Sequence, residues 1–581
     1  MMKSINKFLT ILAVSAGLSL VSCDIDPVLT DSYPEDVAWS NADNLRLNLN
    51  GFYSLIGGYY GSEVENDACS DILKMNGPRD SENLFVFGSA PITPSANRFD
   101  LWKNRHTWQL SCCRFLRDLK EHRSNFTEEI ALEAEAEVRF FRALANFDLA
   151  KRYGASFILY KELPELGEKN HARCTPDECW DFIAEDLDFA AKYLPAKWNN
   201  GTTNPWGTET HTGRITKGAA YGLLARAMLY AERWKAASDA ALEVKKLGYK
   251  LYKNPSRGDK GYGELFTNRR SSVISNQESI IEFGYSYDNK MDYSFDYFYC
   301  PPSDGGYAEA SPTEDLVSAY QMADGRDFDW TDPVMAANPY SGREPRFYAS
   351  ILYNGCQWKG QTLYTYEGST DGYALGGGTT CTGYYMRKLF DEALPKNGMR
   401  STDLTYYYMR YAEVLLIYAE AMIELNRIDD SVLKAINMVR ARAYGVNVTA
   451  TDSYPAVTTT DQTELRRALR IERRMEFAME NQRLQDLMRW KLAEKALNGY
   501  NYIMLIDPTE LLNNIVNKNL WFWGKTPQID EDGLADFSAL FNAGYCSQGA
   551  KRIFPEREYL WPLPTHDVEL CPNLLPNNPG Y

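Results

Sequence analysis

"TKGAAYGLLARAMLYAERWKAASDAALEVKKLG" (residues 216–248) is the stretch that decides the architecture. Apolar and small residues recur at helical spacing on both sides of a polar interruption at Glu232 to Trp234, so the segment reads as two helices joined by a tight turn. Gly222, Ala225, Ala236 and Ala240 alternate with Leu224, Leu229, Tyr230 and Trp234. Small residues let two helix axes approach, and their large neighbours fill the space between them. A hairpin of this kind buries its apolar faces only by stacking on further hairpins.

Such hairpins occur on either side. Upstream, "EEIALEAEAEVRFFRALANFDLAKRYG" (128–154) carries charges between apolar residues and ends on Gly154, a helix stop. "TPDECWDFIAEDLDFAAKYLP" (175–195) opens with a Thr cap, Pro at the first position and acids in the first turn. Downstream, 404–426 pairs with 431–443, and 462–480 with 482–497. The expected fold is mostly α: a tetratricopeptide-like helical-hairpin scaffold (about 128–248 and 404–497) with long irregular inserts and a few short strands. The main insert, 249–400, is rich in Tyr, Gly, Asp and Pro, with strand-like runs "SIIEF" and "YASILYN". Within it, "GYSYDNKMDYSFDYFYCPPSDGGY" (284–307) interleaves aromatic residues with turn formers instead of alternating as a core strand would. Loops on a rigid scaffold are where recognition residues concentrate, which makes this the expected ligand side. A Pro-rich segment, 551–581, closes the chain.

The N-terminus reads as an export signal. Lys3 and Lys7 precede an apolar stretch, Phe8 to Ser22, which is shorter than the roughly 20 residues a spanning helix needs. Leu20-Val21-Ser22-Cys23 resembles a bacterial lipobox. Residues 1–22 are then a lipoprotein signal peptide, Cys23 carries the lipid, 23–40 form a tether and 41–581 a single body. Two or three acyl chains on one residue anchor firmly.

Composition removes several classes of function. A net charge of −16 repels polyanions and excludes nucleic acid as a partner. Five scattered histidines without an HExxH pattern, and eleven cysteines without paired CxxC spacing, favour no metal, and no cofactor motif is present. Glu472, Glu476 and Glu480 share a helix face among Arg470, Arg473, Arg474 and Arg483, which reads as a salt-bridged helix surface and not as a catalytic pair. Aromatic rings in the inserts are the binding candidates, because a flat ring stacks on the C–H face of a sugar. Tyr293, Tyr297, Trp330 and Trp358 are chosen on loop context.

Several blocks, in order along the chain, resemble the SusD/RagB family of outer-membrane nutrient-binding lipoproteins of Bacteroidetes. They are "EAEVRFFRALANFDLAKRYG", "LLARAMLYAERWKAASDAALEV", "LVSAYQMADGRD" with "REPRFYASILYNG", "TGYYMRKL", "YYMRYAEVLLIYAEAMIELN", "IERRMEFAMENQRLQDLMRW" and the ending "YLWPLPTHDVELCPNLLPNNPGY". The resemblance implies a cell-surface protein held in the outer membrane by its lipid, with no catalysis. It also implies a SusC-like TonB-dependent β-barrel transporter as partner and a glycan as the usual ligand, with peptides as an alternative. Asp24 and Asp26 resemble the acidic signal that sends some such lipoproteins to the cell surface, and Trp102 resembles a family tryptophan near the ligand region. Two other readings stay open: a tethered glycan-cleaving enzyme, and a scaffold that docks only another protein.

Overall fold

The computed structural model describes residues 35–581, apart from 58–66, 77–91, 98, 166, 169–170, 199–212, 254–260, 268–275, 286–294, 330–331, 333, 336–337, 367, 373–377, 394–404, 505–527 and 545. The signal peptide, Cys23, most of the tether, Tyr293 and Trp330 lie outside the described residues. Eight helices of thirteen residues or more form the frame among those described: α1 (Trp102–Glu121), α2 (Glu128–Tyr153), α3 (Pro176–Tyr193), α4 (Lys217–Tyr230), α5 (Trp234–Lys246), α6 (Tyr411–Glu424), α7 (Asp430–Ala443) and α8 (Gln462–Glu476). None is long and apolar enough to cross a membrane.

Five of the eight starts are written in side chains. Thr127, Thr216 and Asp461 accept hydrogen bonds from first-turn N–H groups of α2, α4 and α8. Thr175 and Glu178 form a reciprocal capping box at α3, with Pro176 in the first turn. The break in the opening hairpin falls where the sequence places it, with Glu232 at φ 57° between α4 and α5. The helices stack in chain order from α1 to α7, and α5 packs directly on α6 although the whole insert separates them in sequence. The insert therefore leaves the array and returns to it without interrupting the stack. The same core extends through helices and insert.

The return is made by a strand. Thr405–Arg410 pairs antiparallel with Ser279–Gly284 and runs straight into α6. "TYYYMR" is buried at every position, so β-branched and aromatic residues override the helix expected from 404. Likewise only Ile351–Leu352 of "YASILYN" is strand, because the preceding Pro345–Ser350 is a short helix begun by proline. Met409 of the returning strand lies over Gly222 of α4, where an added Cβ would sit 2.5 Å from its sulfur. Gly222→Val is therefore expected to lower stability by about 1–3 kcal/mol through overpacking, read as a lower urea midpoint with unchanged slope.

The glutamates of α8 are not a surface. Glu472 and Glu476, with Glu480 just beyond the helix, are buried together with Glu278 and Glu344. Five buried cations face these five carboxylates: Arg346, Lys388, Arg410, Arg440 and Arg442. Arg346 bonds Glu344, Glu472 (2.7 Å) and Glu476 (3.0 Å), and Arg410 bonds Glu278 (2.9 Å), Glu476 (2.6 Å) and Glu480 (2.7 Å). Arg442 joins Glu278 to Glu476, Arg440 holds Glu472 and Lys388 holds Glu480. The partners come from the insert, the returning strand and α7, so the knot is tertiary and invisible to spacing along one helix. The local arginines turn elsewhere: Arg470 to Asp532, Arg473 to Asp486, and Arg474 and Arg483 to Asp71.

The closing segment finishes the end of α2. Trp561 donates its N–H to Arg152 O (2.7 Å), and the Asn578 amide donates to Tyr153 O (2.8 Å) and Trp561 O (2.6 Å). Carbonyls that a helix end leaves open are thus satisfied by the last residues of the chain. The ten described cysteines are all free thiols, nine of them buried.

Candidate functional site

The ligand-side candidates separate by where the backbone sends them. Trp358 sits in a two-stranded hairpin, Gln357–Trp358 with Gln361–Thr362, whose two-residue turn is Lys359 (φ 46°) and Gly360 (φ 78°). Positive φ at both turn positions fixes the register. Alternation then points Gln357 and Thr362 outward, with Gln357 donating to Thr362 at 2.9 Å, and Trp358 inward. Trp358 is 2% exposed and meets Phe390 edge-on at 6.3 Å, so its face is committed to packing. Trp102 is also 2% exposed: it opens α1, packs on Tyr153 at 5.2 Å and on His106 at 4.4 Å, and fills the α1–α2 joint. Neither ring offers a stacking face in this structure. Loop context and resemblance to a family position say nothing about which way a ring points.

Tyr297 is different. It lies half-buried in the short helix Phe295–Tyr299, and the chain folds back so that Tyr307 N–H bonds Tyr297 O (3.1 Å). The Tyr307 ring then stands 4.9 Å from Tyr297 and is 48% exposed. The neighbouring Tyr307 phenol raises the Tyr297 phenol above its ordinary pKa. Tyr364, equally exposed, stands 5.6 Å from Tyr366, two residues along on the same side, while Thr365 between them turns inward. The sequence reading passed over Tyr307, Tyr364 and Tyr366. The Tyr-Thr-Tyr alternation at 364–366 was the available clue.

Two buried contacts pin these loops together. Lys359 bonds Asp304 at 2.5 Å, with both side chains at most 5% exposed. Ser303 N–H donates to Asp371 (2.7 Å), whose carbonyl accepts from Tyr385 (2.9 Å). The result is two tyrosine pairs, with outward Gln357 and Thr362, on loops braced against each other. Such a face can stack on the C–H side of sugar rings while phenols and amides meet hydroxyls. No group of acids among the described residues forms a metal site. The α8 carboxylates are each neutralised by buried cations and closed to a substrate.

Comparison with known proteins agrees with this frame. Residues 60–229 match the family described as "Starch-binding associating with outer membrane". A crystal structure of a SusD-like carbohydrate binding protein from Bacteroides fragilis is similar over 92% of this chain and 99% of its own, with 25% identity and a TM-score of 0.74. SusD-like protein P25 of Formosa agariphila is 23% identical over 81% of this chain and 86% of its own. SusD-like protein P2 of the same organism is 30% identical over 190 residues, a match spanning 32% of this chain and 28% of that relative. Residues 273–581, more than half of the chain, match the SusD family itself, so the chain belongs to the SusD family of non-catalytic binding proteins.

Proposed function

We propose that the chain is a lipid-anchored, cell-surface protein of the outer membrane that captures an oligosaccharide on the tyrosine face and passes it to a SusC-like TonB-dependent β-barrel. The observation that carries this reading is the pair of half-exposed rings, Tyr307 and Tyr364, on loops braced by Lys359–Asp304 and Ser303–Asp371. A preorganised platform loses little entropy on binding, which offsets the small net gain of each hydroxyl hydrogen bond. The starch-binding description of the family matching residues 60–229, and the carbohydrate-binding Bacteroides fragilis relative, support the ligand class. The lipobox-like Leu20–Cys23 supports the anchor.

Isothermal titration of a chain beginning at Asp24 against neutral oligosaccharides, with released sugar assayed in parallel, tests the capture. Saturable heat without cleavage is expected. The double substitution Tyr307→Ala/Tyr364→Ala is expected to weaken it at least about tenfold, with an unchanged circular dichroism spectrum. Affinity that survives this substitution unaltered would remove the face from the mechanism. For the anchor, Cys23→Ala is expected to move the protein from the membrane fraction to the soluble one, checked by fractionation and mass spectrometry of the N-terminal peptide.

A further inference from the structure

On the far side of the wall that carries the tyrosine face lies a cleft of about 870 Å³. Its sides are the short helices Gly261–Leu265 and Pro345–Ser350, residues 387–393, and the end of α7 through Gly445. Phe390 is the shared element: it lines the cleft and packs on Phe295 (5.3 Å) and Trp358 (6.3 Å), the buried supports of the tyrosine face. Two concave or ring-bearing surfaces therefore stand back to back on one aromatic partition.

The chemistry of the cleft is polar without net charge. Arg343, Arg387 and Lys388 line it opposite Glu264, Asp391 and Glu392. Each cation is already held: Arg343 by the carbonyls of Pro339 (2.9 Å) and Val317 (3.1 Å), Arg387 by Glu392 (2.7 Å) and Tyr348 O (3.1 Å), and Lys388 by Glu480 and Ala478 O (2.7 Å). An anionic ligand would have to compete with these bonds for each cation. Half-buried Tyr252, Tyr348 and Tyr444 supply ring surface between the polar groups. Its volume is in the range of pockets that enclose an extended small ligand. We infer that this cleft is a second subsite for a neutral oligosaccharide, behind the tyrosine face and separate from it. The inference rests on the reading of the chain as a glycan-capture protein.

The experiment uses the chain beginning at Asp24 and four neutral heptasaccharides (malto-, laminari-, manno- and xylo-series), with an oligogalacturonate as charged control. Tyr307→Ala/Tyr364→Ala should leave a residual, saturable site. Adding Ala393→Trp, which places bulk at the exposed rim of the cleft, should then weaken that residual binding at least about tenfold. Tyr444→Ala should weaken it about five- to tenfold, with circular dichroism reporting that each variant is folded. Raising salt from about 0.05 to 0.5 M should leave it nearly unchanged, and the galacturonate should not bind more tightly. If the double tyrosine variant alone removes all binding, the cleft site is overturned and the tyrosine face stands. If Ala393→Trp alone removes all binding and the tyrosine variant is silent, the cleft stands and the face falls. No heat with any heptasaccharide overturns both, and steep salt dependence overturns the neutral ligand class.

Discussion

Glu476→Ala is expected to destabilise the protein by about 3–5 kcal/mol, the cost of leaving a buried positive charge uncompensated in the knot. Glu476 touches Arg346, Arg410 and Arg442 at once, and all four side chains are at most 2% exposed. Removing it takes one carboxylate from each of three guanidinium groups, which keep Glu278, Glu344, Glu472 and Glu480, and leaves one positive charge uncompensated in a site that water does not reach. The contrast is Arg233→Ala, which breaks two exposed pairs with Asp177 and Asp181 and should change stability by no more than about 1 kcal/mol. Urea unfolding of both variants checks the difference. Equal effects would mean that the knot contributes no more than a surface pair.

The same group sets a pH dependence of definite sign. The surrounding arginines hold the Glu476 carboxyl well below the usual carboxylate range, against the opposing effect of burial. A carboxylate whose folded pKa is depressed contributes stability that is present above its unfolded value near 4.5, and that is lost as pH falls toward the folded value. Wild-type unfolding midpoints should therefore drop steeply below about pH 4.5, and the Glu476→Ala variant should show a shallower acid slope.

What could be read in the sequence follows from how local the physics is. The cap at Thr175, the turn at Glu232 and the stop at Gly154 are set within a few residues, and the structure places each where the pattern does. The strand Thr405–Arg410 was hidden, because "TYYYMR" abuts a true helix and its partner lies more than a hundred residues away. The α8 glutamates show the same limit: i, i+4 spacing beside local arginines describes a surface ladder equally well, and only the arrival of Arg346, Arg410 and Arg442 makes the face internal. At the candidate site, the sequence located the aromatic loops but not the orientation of their rings. Trp358 turns inward because a Lys-Gly turn sets the hairpin register, and Tyr307 turns outward because a backbone bond to Tyr297 folds the loop back.

Asp67→Asn is expected to stabilise the protein at neutral pH by about 1–3 kcal/mol, with no gain at pH 3.5. Asp67 is fully buried, and one carboxylate oxygen has no hydrogen-bond partner among the described residues; the other accepts from Asn481 N–H at 3.1 Å. Burial raises its pKa to about 7, more than the Asn481 and Arg483 backbone bonds and nearby Lys388 lower it. Below about pH 3.8 the carboxyl is protonated in both states and makes no difference between them. Between that value and about 7 the folded state keeps a proton that the unfolded chain has released, so stability falls as pH rises. Above about 7 the full cost of burying the charge is present. Asparagine retains an oxygen to accept from Asn481 and carries no charge to bury, so its advantage should grow between pH 4 and 7 and then level off. Thermal unfolding of both forms across that range tests the sign, and a variant less stable than wild type at pH 8 would show that the Asp67 anion is held by its neighbours and not penalised by burial.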